Sequence, residues 1–253
     1  MSREFRFHLW GAIAYFVVLE ALLVGAILFW PSFEENIESL KAMAPMQVLK
    51  DMVDKLGEGG VAAYVDGQHF FKGCNTVGML AAVIFAMGAV AGEAHRGTLE
   101  MWLSRPLSRR RILLERWFAG ALAVCVPVFA TSLTVPWLLD FVHEEMQLGP
   151  LMLSSLHESL LLLTVYSATF LFSTLSSTPI LIAFAMLMFT IFEFSIYMIK
   201  DMTHWSIFRL TDIEVFAMIG ATHALDWRMC APLIVFTVVC VALSLAVFAR
   251  RSP

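Results

Sequence analysis

Charged side chains are concentrated in one segment, residues 92–117, with the sequence GEAHRGTLEMWLSRPLSRRRILLERW. It holds six of the 17 Lys and Arg residues and three glutamates. Such side chains form ion pairs, and positive charge next to long apolar runs is typical of a cytoplasmic loop. The segment therefore predicts a charged cytoplasmic surface, and it fixes the orientation of the rest of the chain.

The local pattern within this segment predicts a short apolar helix between two charged flanks. Gly97 and Thr98 interrupt the preceding helix, and the Thr98 hydroxyl is a candidate N-cap with Glu100 near the positive helix end. Pro106 ends this helix, and Ser108 is a candidate N-cap for the next one. The apolar side chains between them are Leu99, Met101, Trp102 and Leu103. Such a helix has the shape needed to fit a groove on another protein.

Glu20 lies near the middle of the first apolar run, and Glu193 lies about two turns from the outer end of the fifth. A carboxylate at mid-membrane costs on the order of 2.5–3.5 kcal/mol, so Glu20 should face the protein interior, be protonated or contact a water-filled cavity. With Thr190 and Ser195, these residues are the few polar groups that could line a path across the membrane.

Motifs for other chemistry are absent from the sequence. No GxxxxGK[ST] nucleotide-binding loop and no GxSxG nucleophile motif occur, and the four cysteines show no CxxC spacing. The sequence leaves open whether Cys74 and Cys230 form a disulfide. It predicts that five histidines lie on the outer side and none within a span, and leaves open whether they bind a metal: His69, His143, His157, His204 and His223.

The composition predicts a membrane protein. The chain is 59% hydrophobic and 15% charged, with a mean hydropathy of +0.77, which is more apolar surface than a soluble domain of 253 residues could bury. A run of about 20 apolar residues crosses the ~30 Å hydrocarbon core. Six runs meet this criterion: 10–30, 73–92, 118–139, 156–175, 180–199 and 231–249.

We therefore expect one all-α membrane domain over residues 1–253, with six transmembrane helices and both termini cytoplasmic. The spacing of apolar residues in 31–72 predicts two amphipathic extracytoplasmic helices separated at Pro45. The apolar stretch 207–219 is too short to span and predicts an interfacial or re-entrant helix. The net charge of −4 and the acids of the outer segments do not indicate a nucleic-acid partner.

The charged segment resembles the loop after the second span of ABC-2 type permeases. That loop has an acidic residue, then Arg-Gly-Thr-Leu-Glu, Leu-Ser-x-Pro, a Ser-Arg pair and an apolar Ile-Leu-Leu. The corresponding residues are Glu93, Arg96-Gly97-Thr98-Leu99-Glu100, Leu103-Ser104-Arg105-Pro106, Ser108-Arg109 and Ile112-Leu113-Leu114. The chain departs from the pattern in having Glu115-Arg116 where a small residue and Lys are commoner, which leaves the charge intact.

The resemblance implies that the chain is the permease subunit of an ATP-binding-cassette exporter. Such a subunit lies in the plasma (inner) membrane and contacts membrane lipid. The resemblance also implies a second copy of the chain and two copies of an ABC ATPase, which bind ATP and magnesium. A coupling helix, residues 98–104, would dock on the ATPase. The residues assigned to this coupling are Glu93, Arg96, Gly97, Thr98, Leu99, Glu100, Met101, Trp102, Leu103, Ser104, Pro106, Ser108 and Arg109.

Three alternatives stay open on the sequence: a membrane scaffold, a channel subunit and an intramembrane enzyme. The enzyme class would need a nucleophile and a base, and the sequence supplies many serines but no recognised motif. On the transporter interpretation, this chain is not itself an enzyme and binds no cofactor. The substrate is not indicated.

Overall fold

Helices make up every regular element in the part of the chain that the computed structural model describes, residues 3–45, 47–99, 101 and 108–250. Within these residues, six helical segments are long and apolar enough to cross a membrane. They are residues 6–35, 60–87, 109–142, 148–175, 179–197 and 227–250. The prediction of an all-α protein with six spanning helices is therefore confirmed.

The helices follow one another in this order: α1 (Arg3–Glu35), α2 (Ile37–Met43), α3 (Gln47–Glu58), α4 (Gly60–Val65), a π-helix (Asp66–Gly78), α5 (Met79–Met87), α6 (Ala91–His95), α7 (Arg109–Leu139), α8 (Leu148–Leu175), α9 (Pro179–Tyr197), α10 (Ile213–Thr222) and α11 (Trp227–Arg250). Helices α2 and α3 are the two amphipathic helices expected around Pro45. Short 3-10 turns at Thr203–Trp205 and Ile207–Thr211 precede α10.

The second spanning segment differs from its predicted range of 73–92. Helical structure begins at Gly60 and continues through α4, the π-helix and α5 to Met87. Hydropathy placed the start later because Asp66 and His69 are polar, yet the structure buries both side chains. Helix α8 likewise begins at Leu148 rather than residue 156, and α1 continues past Pro31 to Glu35.

The C-terminal end of the second span also differs from the prediction, because the helix is interrupted at residues 88–90. The hydroxyl of Ser173, on α8, substitutes for the missing turn. It accepts hydrogen bonds from the amides of Val90 and Ala91, and it donates one to the Met87 carbonyl, each at 3.0 Å. A buried backbone group without a partner is costly, so this side chain makes the break possible.

Helix α8 occupies the centre of the bundle and packs against α5, α7 and α11. Its large side chains Tyr166 and Phe170 are fully enclosed. Helices α1, α9 and α11 bury a smaller share of their surfaces and lie at the periphery. The chain thus arranges its polar-rich helices inside and its most apolar helices toward the membrane, as expected for helices that must face lipid.

Close packing of α7 on α8 predicts a strong effect of a methyl group at Gly120. A Cβ atom at Gly120 would lie 2.1 Å from the Tyr166 hydroxyl oxygen and within 2.8 Å of two ring atoms. We expect Gly120→Ala to cost roughly 1–3 kcal/mol through overpacking and to lower the melting temperature in detergent. The control is Gly25→Ala, where no atom lies within 4 Å of the new methyl. Equal melting temperatures for the two variants would contradict the packing.

Candidate functional site: a charged cluster beneath the spanning helices

The carboxylate of Glu93 is the centre of the charged segment. It accepts hydrogen bonds from the Arg96 guanidinium and the Thr98 hydroxyl, and the Arg116 guanidinium lies 4.0 Å from the same carboxylate. The Thr98 amide also donates to the Glu93 carbonyl at 3.0 Å. Gly97 permits this turn because its φ is +68°, a conformation that other residues rarely adopt.

The charges around Glu93 determine its ionisation. Burial alone would raise its pKa, but the hydrogen bonds from Thr98 and Arg96 and the charges of Arg116 and Arg96 outweigh that effect. The net result is a pKa below its ordinary value. Glu93 is therefore an anion at neutral pH, and it holds two arginines that belong to different elements.

Three contacts fix this cluster to the spanning helices. Arg116 on α7 donates to the Ala89 carbonyl at 2.6 Å, and Ser173 on α8 holds the amides that follow it. Arg109 donates to the carbonyls of Phe248 and Ala249, at the end of α11, at 3.4 and 3.3 Å. The predicted N-cap is confirmed, since the Ser108 hydroxyl accepts from the Arg111 amide at 3.3 Å. The segment and the start of α7 are thus connected by side-chain hydrogen bonds to α5, α8 and α11.

The predicted coupling helix lies largely outside the described residues, which exclude Glu100, Trp102, Leu103, Ser104 and Pro106. At its start, Leu99 is buried and Met101 is exposed. The structure thus brings together Glu93, Arg96, Gly97 and Thr98 at this site, with Ser108 and Arg109 at the beginning of α7. The assignment of these residues to coupling remains a prediction.

The four residues proposed for a translocation path do not converge. Glu20 accepts a hydrogen bond from the Thr134 hydroxyl at 3.1 Å, between α1 and α7. The Glu193 carboxylate accepts from the Ile207 amide at 3.0 Å, so it caps a 3-10 turn. Thr190 and Ser195 instead line a cavity between α9 and the π-helix. Only these two are candidates for one shared surface.

The prediction that no histidine lies within a span is wrong. His69 and His157 are buried in the second and fourth spanning segments. The Nε2 atom of His69 lies 3.2 Å from the hydroxyls of both Thr131 and Ser132. This pairing resembles a base beside a nucleophile, but Ser132 is fully enclosed and His69 is 2% exposed. A substrate has no access to this pair.

His157 is held by the Leu210 carbonyl at 2.6 Å and by Cys230 at 3.3 Å. All four cysteines are free, so the disulfide that the sequence left open is not formed. Among the described residues, no three His, Cys, Asp or Glu side chains converge as a metal-binding group.

Several buried polar residues were not singled out from the sequence. Both carboxylate oxygens of Glu158, in the middle of α8, lack a hydrogen-bond partner, as does one atom each of Asp66 and Asn75. The Ser173 contacts span more than 80 positions of the chain, which no local pattern could indicate. Glu158 could have been noticed as an acidic residue inside an apolar run, like Glu20.

Comparison with known proteins agrees with this arrangement. No curated protein matches the chain significantly. Residues 6–252 match the protein family described as ABC-2 family transporter protein, which covers nearly the whole sequence. The match extends through all six spanning segments and the charged cluster beneath them. The chain therefore belongs to the ABC-2 family of transporter proteins, as a multi-pass membrane subunit.

Proposed function

We propose that two copies of this chain form the translocation path of an ATP-binding-cassette exporter in the plasma (inner) membrane. A separate ABC ATPase, also in two copies, binds ATP and magnesium and docks on the charged segment. The chain has no GxxxxGK[ST] motif, so it relies on that partner for hydrolysis. The outward direction and the second copy are part of the proposal. Membership of the ABC-2 family supports them, since one six-span chain is taken to supply half of a path.

The observation that carries the proposal is the cluster around Glu93. It is a preformed ionic junction at the end of the second span, and its partners Arg96 and Arg116 flank the predicted docking helix in the sequence. The same junction reaches α7 and α8 through Arg116 and Ser173. A docking surface transmits work only if it contacts its partner differently in two states. A cluster with contacts to α5, α7 and α8 is consistent with such a connection and supports the proposal.

The orientation is supported by contacts at the same end of the bundle. Arg109 contacts the last turn of α11, and the rings of Phe7 and His8 pack on Phe85 near the end of α5. The first turns of α1 and the last turn of α11 therefore lie beside the charged segment. The high content of arginine there favours the cytoplasmic side.

Purification of the tagged chain from its native host in mild detergent tests the proposal. We expect an ABC ATPase to accompany it, and we expect Trp102→Ala to lower the amount of that ATPase or its rate of ATP hydrolysis at least fivefold. Burial of an aromatic side chain at a protein interface commonly contributes about 2 kcal/mol or more, which would allow a larger effect. The matched control is Trp227→Ala, an exposed tryptophan at the start of α11.

Two results would contradict the proposal. The chain could be recovered alone or with membrane proteins that hydrolyse no ATP, and the scaffold or channel interpretation would then replace it. Alternatively, an ATPase could accompany both variants equally and hydrolyse ATP at the same rate, which would remove Trp102 and the docking helix from the mechanism.

A further inference from the structure

A cavity of about 870 Å³ lies between α1, α3, the π-helix and α9. Apolar side chains form most of its wall, including Phe33, Met52, Phe71 and Leu187. This size and composition are typical of sites for small ligands, in which a few polar groups fix the orientation of an apolar molecule. The helices α2 and α3 cover its outer end, since Leu40, Ala44 and Leu49 also line it.

The π-helix contributes four polar residues to the cavity wall, Gln68, Lys72, Asn75 and Thr76. Helix α9 adds Thr190 and Ser195, whose hydroxyls donate to carbonyls of their own helix. π-helical turns are rare and are frequent at functional sites. Lys72 is exposed, and its ammonium donates to the Gln68 side chain at 3.3 Å. No carboxylate of the described residues pairs with Lys72. A cation within a spanning segment is costly and generally has an anionic partner, so this lysine indicates an anion supplied from outside the chain.

Asn75 gives a second, independent indication of a ligand. Its side chain is 5% exposed, and its Nδ2 atom donates to the Thr211 hydroxyl at 3.3 Å, but its Oδ1 atom has no partner. Rotation of the amide would exchange the two atoms and still leave one of them unpaired. Buried polar atoms are nearly always hydrogen-bonded, and a site that leaves one unpaired beside a cavity suits a polar group of a bound molecule.

The position of the opening indicates how the ligand reaches the cavity. Phe29, Leu80 and Ile191 line the cavity and are 51%, 41% and 59% exposed, and each belongs to a spanning segment. The opening is therefore bordered by side chains that face the membrane interior. A molecule that enters between these side chains comes from the bilayer, which favours an amphiphile over a small hydrophilic anion.

We propose that this cavity binds an anionic amphiphile, with its hydrocarbon chain among the apolar side chains and its acidic headgroup against Lys72 and Asn75. The proposal rests on the exporter function given above, since it names this class of molecule as the cargo. Charge selects the headgroup, and the volume and apolar wall select the chain. The amphipathic helices α2 and α3 cover the bound molecule on the outer side.

Photo-crosslinking tests the site directly. The chain, together with its co-purified partners, is reconstituted in phosphatidylcholine vesicles with a diazirine-bearing fatty acid, and the labelled peptides are identified by mass spectrometry. We expect labelling of α1 and α9 around Phe29 and Ile191. Dodecyl phosphate should compete, whereas dodecyltrimethylammonium and inorganic phosphate should not. Labelling spread evenly over all spans, or equal competition by the cationic amphiphile, would overturn the proposal.

Two pairs of variants make the test specific. Lys72→Gln should weaken competition by dodecyl phosphate about tenfold, as expected for loss of a charged hydrogen bond, whereas Lys200→Gln should not change it. Ile191→Trp should block the opening and reduce labelling, whereas Ile180→Trp, on the same helix and 79% exposed, should not. Equal behaviour within either pair would contradict the assignment of the site.

A separate measurement tests whether the bound amphiphile is the transported cargo. With an ATPase present, ATP and magnesium should lower the labelling of the cavity relative to a non-hydrolysable ATP analogue. Unchanged labelling would overturn the cargo assignment. Absence of any ATPase in the purified complex would instead contradict the exporter function, while site-specific labelling in the same sample would still be measured.

Discussion

Replacement of Glu93 by glutamine is expected to lower ATP hydrolysis by the complex at least about tenfold while the chain still inserts in the membrane. The substitution keeps the shape of the side chain but removes the anion shared by Arg96 and Arg116. Loss of one member of a fully buried ion pair typically costs about 3–5 kcal/mol. Glu93 is buried but Arg96 is half exposed, so the cost here is smaller, and about 1.4 kcal/mol suffices for a tenfold change. The measurement is the ATPase rate of the reconstituted complex per mole of permease.

The control for this variant is Glu115→Gln, which removes the same charge from the same segment. Glu115 pairs with Arg111 at 2.8 Å, but both side chains are largely exposed, so the pair contributes little. We expect a nearly unchanged ATPase rate for this control. If both variants reduced the rate equally, the effect would come from net charge and not from the junction around Glu93.

The same junction predicts a pH dependence. Glu93 has a pKa below its ordinary value of 4.5, so its ionised form stabilises the folded cluster. That stabilisation is fully present above the ordinary pKa and is lost as the pH falls through the lowered value. Association of the ATPase should therefore be constant from about pH 7 to about pH 5 and weaken only at lower pH. Weakening that already occurs near pH 6 would indicate a different titrating group.

The number and type of the spanning helices could be predicted from the sequence because the membrane imposes a simple length and composition rule. Helices α1, α9 and α11 are almost uninterrupted apolar runs, and hydropathy identifies each of them. The break at Gly97 and the cap at Ser108 were also predictable, since both depend on local backbone chemistry. Within the charged segment, the positions at which helices end and begin are therefore determined largely by the local sequence.

The interior of the bundle could not be predicted in the same way. Hydropathy treats Asp66, His69 and Glu158 as residues that avoid the membrane, but the fold encloses them among other helices. The cost of burial is offset for His69 by the hydroxyls of Thr131 and Ser132, which lie more than 60 positions away. A single sequence contains no local signal for such distant pairs, so the start of the second and fourth helices was misplaced.

The hydrogen bonds of Ser173 also join residues far apart in the chain, and they provide a test of the proposed coupling. Ser173 joins α8 to the break between α5 and α6. In the mechanism that we propose, movement of the charged segment reaches α8 through this contact as well as through α7. In Ser173→Ala, the amides of Val90 and Ala91 lose this acceptor. An unpaired buried amide costs about 1–3 kcal/mol, so the broken turn should rearrange or become mobile.

We expect Ser173→Ala to retain the ATPase during purification but to lower its hydrolysis rate at least about fivefold, because the docking residues remain while their connection to α8 is weakened. Ser173→Thr keeps the hydroxyl and should restore most of the rate. The matched control is Ser244→Ala, since the Ser244 hydroxyl is buried but donates only to the Cys240 carbonyl of its own helix at 2.8 Å. A rate for Ser173→Ala equal to that of Ser244→Ala would show that coupling passes to the spans through Arg116 and α7 alone, without the contact to α8.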